Sequence, residues 1–82
     1  MTEDQQAMAF QRRIGANIRH WRTQRSLDIA EFAGRCQRPS AAIVRIESGE
    51  AMPSVEFLWR AAHVLNVSCL ALTDKDEHRS AA

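Results

Sequence analysis

Ile43-Val44-Arg45-Ile46-Glu47-Ser48-Gly49, followed after a short loop by Pro53-Ser54, is the stretch that decides the fold. Ile43 and Ile46 are three apart and share one helical face. Ser48-Gly49 stops that helix, because glycine suits the left-handed position after a helix end. Glu50-Ala51-Met52-Pro53 reads as a loop, and Ser54 as the cap of the helix beyond it. Upstream, Gln37-Arg38-Pro39 is a turn: proline disfavours helix in the residue before it and fits the first helical position after it. The spacing predicts a short helix from about Ser40 to Glu47.

Working outward, Asp28 with Glu31 three residues on forms a capping box. It opens a second helix ending near Cys36, with Ile29, Phe32, Ala33 and Cys36 on its apolar side. A long first helix runs from about Asp4 to Arg25, with Thr2 and Gln5 as its capping box and Phe10, Ile14, Ile18 and Trp21 as a buried stripe. Ser26-Leu27 is the turn after it. Downstream, Ser54 caps a fourth helix to Leu65, with Leu58, Ala61, Ala62 and Leu65 inward; Ser68 caps a short fifth helix with Cys69, Leu70 and Leu72. No stretch alternates apolar and polar residues as a strand requires. The chain reads as all-α, with one five-helix domain over residues 1–72 and a polar, disordered tail over 73–82.

The 82 residues carry a net charge of +1, with 45% hydrophobic residues. That small charge hides an asymmetry. Between residues 12 and 45 stand eight arginines against Asp28 and Glu31, a local excess of +6, while the two flanking segments are net acidic. Arginine suits phosphate because its planar fork donates two parallel hydrogen bonds. There is no glycine-rich phosphate loop, no H-E-x-x-H, and no nucleophile beside a base, so an enzyme is not expected. Cys36, Cys69 and the scattered His20, His63 and His78 lack metal-ligand spacing, so neither metal nor cofactor is expected. Cys36 falls beside Arg35 and Arg38, whose charge favours thiolate, but its core spacing favours an inert buried thiol. The acidic start Met1-Thr2-Glu3-Asp4 does not read as a signal peptide, and no apolar run approaches a membrane span; a cytoplasmic protein is expected.

Residues 14–72 resemble the phage-repressor (Cro/XRE) family of helix-turn-helix DNA-binding domains. The resemblance rests on Ile14-Gly15, Ile18, Trp21-Arg22, Leu27, Phe32-Ala33, Ile43-x-Arg45-Ile46-Glu47-x-Gly49, Pro53-Ser54, Leu58, Ala62, Leu65-x-Val67-Ser68 and Leu72. It implies a transcriptional regulator, a dimeric repressor on an inverted-repeat operator, with the third helix in the major groove of double-stranded DNA. It implies an internal ion pair between Arg22 and Glu47, and base-facing roles for Ser40, Ala41, Val44 and Arg45. Arg12, Arg13, Arg35 and Arg38 are the candidate phosphate contacts. The chain departs from the family in three places. Ile29 stands where glutamine usually opens the second helix, Gln37 and Pro39 replace the usual glycine and small polar cap, and Glu50-Ala51-Met52 replaces a basic or amide-rich loop.

The last two helices are more apolar than their own core needs. Phe57, Trp59, Val64, Cys69 and Leu70 are expected to form a homodimer interface. The alternative is a protein-binding module, an antitoxin or an antagonist of another regulator, with a protein partner on that surface.

Overall fold

The computed structural model describes residues 2–75. Within them the chain forms α1 (Glu3–Gln24), α2 (Ile29–Cys36), α3 (Ser40–Glu47), α4 (Val55–Leu65) and α5 (Cys69–Thr73), with no strand among the described residues. Each helix starts where a side chain can satisfy its unpaired N–H groups, except α3. Thr2 and Gln5 close one capping box and Asp28 and Glu31 another. Ser54 Oγ accepts from the Phe57 N–H, and Ser68 Oγ from the Ala71 N–H. Three ends are marked by left-handed residues that are not glycine: Ser26 after α1, Gln37 after α2 and Asn66 after α4. Among the described residues no helix is long and apolar enough to cross a membrane.

α1 is the spine. It packs against α3, α4 and α5, while α2 packs against α3 and α4. Ile14 and Ile18 of α1, Phe32 of α2, Ile43 of α3 and Leu65 of α4 are fully buried together. Phe32 and Phe57 meet edge to face, ring centroids 6.4 Å apart, a favoured aromatic geometry. Asn17, also buried, donates from Nδ2 to the Leu72 and Asp74 carbonyls at 3.0 Å each, which ties the end of α5 to the spine.

Three expectations change. Phe10 does not join the core stripe. It stands exposed one turn before Ile14, and the Arg13 guanidinium covers its ring at 5.2 Å. The α1 side chains that hydrogen-bond to the rest of the fold begin at Gln11, to the Gly49 carbonyl, and Arg13, to that of Thr73, so at Phe10 the helix has already run past the body. Phe57, expected on the outer face of α4, lies in the core at 2% exposure, and Leu58 is half-buried. α5 includes Thr73, whose carbonyl accepts from Arg13 Nε at 3.1 Å, so the ordered domain continues past 72. The rest of the expected tail, residues 76–82, lies outside the described residues.

Cys36 is fully buried while Cys69 is exposed. Burial pushes the Cys36 thiol up to about 11, against the opposing charges of Arg60 and Arg38, so it is not an activated thiolate. At pH 8 a maleimide is expected to modify Cys69 promptly and Cys36 only on global unfolding, as read by mass spectrometry. Equal rates at the two thiols would contradict this packing. As pH rises past the ordinary value of 9.0, the unfolded thiol ionises first. The stability that Cys36 contributes is therefore intact below pH 9 and is lost as pH climbs through about 11.

Candidate nucleic-acid interface

The turn between α2 and α3 sets the angle at which α3 is presented. Gln37 takes the left-handed conformation at φ 59°, ψ 45°. Its N–H donates to the Gly34 carbonyl, and the Arg38 N–H donates back to the Ala33 carbonyl at 3.0 Å. Left-handed backbone costs a residue with a Cβ about 1–2 kcal/mol. Arg60, donating from Nη1 to Gln37 Oε1 at 2.8 Å, holds the residue there. Pro39 then leads into α3 with no side-chain cap, leaving the positive end of that helix open.

α3 has two opposite faces. Ile43 and Ile46 are buried at 0% and 8% exposure. Ser40, Ala41, Val44 and Arg45 are all exposed, and at 3.6 residues per turn they fall within about 140° of arc. The four candidate base-facing residues therefore share one outward face. Arg45 pairs with no carboxylate among the described residues and is the longest donor on it.

The inward edge of α3 is fixed by charge and by backbone. Arg22 donates from Nε to Glu47 Oε2 at 2.6 Å and from Nη2 to Glu47 Oε1 at 3.0 Å, a bidentate pair. Its Nη1 donates to the Leu27 carbonyl at 2.8 Å. Both side chains are nearly excluded from solvent, at 11% and 7% exposure. The hydrogen bonds to Glu47 raise the Arg22 pKa further above its ordinary value, against burial, which lowers it. Arg22 is thus internally committed. Gly15 and Gly49 carry the backbone part. A Cβ on Gly15 would run into the Ile46 carbonyl oxygen and approach that of Glu47 to 2.9 Å. Gly49, at φ +82°, lies against Arg12, and its carbonyl accepts from Gln11 Nε2 at 2.7 Å.

The arginines divide. Arg12 lies beside Gly49, just past the end of α3. Arg35 is exposed on the last turn of α2. Arg38 is half-buried and engaged: Nη2 donates to Glu56 at 3.0 Å and Nη1 to the Gln37 carbonyl at 3.2 Å. Arg13 is directed at α5 and Phe10, because adjacent helical residues project about 100° apart, and so leaves the α3 side to Arg12.

Arg19 stands exposed on the same side of α1 as Arg12, though no motif in the sequence singles it out. It lines a hollow of about 230 Å³ with Ile29, Val44, Ser48 and the Arg22–Glu47 pair. Its signal in the sequence is spacing alone: it follows Arg12 by seven residues, two turns along the same face. The start of α2 is poorly suited to phosphate, since Asp28 and Glu31 occupy it.

Of the residues expected at a dimer interface, Trp59 and Leu70 are 61% and 63% exposed, and Cys69 is exposed. Val64 is half-buried against the core, and Phe57 belongs to the core itself. Trp59 stacks on His63, the ring planes 4° apart. A family model described as a helix-turn-helix domain matches residues 13–75, which is most of the chain. No curated protein matches it.

Proposed function

The chain belongs to the helix-turn-helix domain family, and from that premise we propose that it is a sequence-specific DNA-binding transcriptional regulator of the phage-repressor (Cro/XRE) kind. The observation that carries this is the single outward face of Ser40, Ala41, Val44 and Arg45, on a helix whose other side is fixed to α1. In this reading α3 enters the major groove, Arg45 meets a base edge, and Arg12, Arg19 and Arg35 meet phosphates. Trp59, Cys69 and Leu70 bury one another across a two-fold axis, placing two copies of α3 one DNA turn apart, about 34–36 Å. Repression follows by occlusion of polymerase at an inverted-repeat operator.

The test is an anisotropy titration of the full chain against a duplex selected from a random pool, over a range of salt. Preferred binding with two chains per duplex is expected. Arg45→Ala is expected to weaken the preferred duplex by about five-fold or more, and random duplex far less. Arg19→Ala is expected to weaken both alike and to reduce the salt slope by about one. No preference over random duplex at physiological salt would end this reading. The exposure of Val55, Trp59 and Leu70 then favours the second one, a module that binds a protein partner through α4 and α5.

A further inference from the structure

The outward face of α3 has an uneven chemistry. Ser48 follows Val44 by one turn, but its single hydroxyl proton is already engaged, with Glu50 Oε2 at 2.7 Å and the Arg45 carbonyl at 3.1 Å both within its reach. The remaining donors are Ser40 and Arg45, at the two edges of the face. Between them lie Ala41 and Val44, which offer only methyl groups.

Val44 is 47% exposed and forms one wall of the hollow that Arg19 and Ser48 border. The other apolar wall is Ile29, the residue that stands at the start of α2. Of the polar groups around the hollow, Arg22 and Glu47 are committed to each other and the Ser48 hydroxyl is engaged, so a polar base edge pressed between Val44 and Ile29 would lose water without gaining a partner from either, which costs about 1–3 kcal/mol. One mark in the major groove avoids that penalty: the 5-methyl group of thymine, the apolar element of the base-edge code.

We propose that Val44, backed by Ile29, is a specificity-determining contact that reads the 5-methyl group of a thymine. This rests on the DNA-binding reading above, and names the base feature that α3 selects. Arg19, at the rim of the same hollow, holds the neighbouring phosphate and keeps the strand at a fixed distance from Val44.

The experiment replaces each thymine of the selected duplex singly by deoxyuridine, which removes the methyl group and leaves the pairing edge unchanged. At one thymine in each half-site the full chain is expected to bind the uracil duplex about four-fold more weakly, the effect of withdrawing one buried methyl. Val44→Ala, an exposed position, is expected to erase the difference between thymine and uracil there by weakening the thymine duplex about four-fold. Equal affinity for thymine and uracil at every position overturns the proposal and leaves DNA binding standing. So does a difference that survives Val44→Ala, since another residue then reads the methyl. If no duplex is preferred over random DNA, the underlying reading fails, and the proposal with it.

Discussion

Gly15→Ala is expected to cost about 3 kcal/mol of folding stability, read as a lower urea midpoint at unchanged slope. The sign is opposite to helix propensity. Alanine in a helix interior is favoured over glycine by about 1 kcal/mol, and Gly15 lies in the middle of α1. The added methyl would occupy the place of the Ile46 carbonyl oxygen and crowd that of Glu47. Both obstacles are backbone, so no rotamer change relieves them, and α1 and α3 must separate. Separation also pulls Arg22 away from Glu47. Gly34 supplies the control. It too is helical, but nothing lies within 4 Å of a Cβ built there. Gly34→Ala is expected to stabilise by about 0.5–1 kcal/mol. Two substitutions of the same kind thus move stability in opposite directions. Stabilisation by Gly15→Ala would refute the close approach of α1 and α3.

Arg22→Ala is expected to destabilise by about 3–5 kcal/mol, because it leaves the Glu47 carboxylate buried without its partner. A domain of this size has about 4–12 kcal/mol in total, so much of the molecule's stability is at stake. The Leu27 carbonyl loses its donor as well. Arg22→Lys recovers only part, since an ammonium group cannot reproduce the two-pronged contact. The double replacement Arg22→Met with Glu47→Leu separates desolvation from attraction. Apolar residues of similar volume are expected to restore most of the stability. Chemical denaturation of the three variants decides it. Loss of DNA affinity by Arg22→Ala at unchanged stability would instead assign Arg22 to phosphate.

Much of this was legible in the residues, and the exceptions share one cause. Thr2 with Gln5, Asp28 with Glu31, Ser54 and Ser68 announce helix starts, since capping is local chemistry within a few residues. Gly49 announces a left-handed end in the same way. The Arg22–Glu47 pair came from family resemblance and not from spacing, since 25 residues separate the partners. The misreadings concern rotation and reach. Phe57 and Leu58 are neighbours, so periodicity left α4 free to turn either one inward; Phe32 on α2 settles it in favour of Phe57. Arg12 and Arg13 pose the same problem on α1, and α5 draws Arg13 to its own side. Phe10 continues the apolar period of α1 faithfully, yet period alone does not say where the body of the protein ends.

The division of α3 into a fixed inner edge and an unburdened outer face bears on how such a protein changes over time. The contacts that position the helix run through Gly15, Arg22 and Glu47, together with buried Ile43 and Ile46. Ser40, Ala41, Val44 and Arg45 are exposed and make no part of the buried core. Substitutions at those four positions are therefore close to neutral for folding. If the outer face reads DNA as proposed, a lineage can drift across many target sequences while its fold stays constant, and two diverged copies in one cell can acquire separate targets by changing a handful of codons.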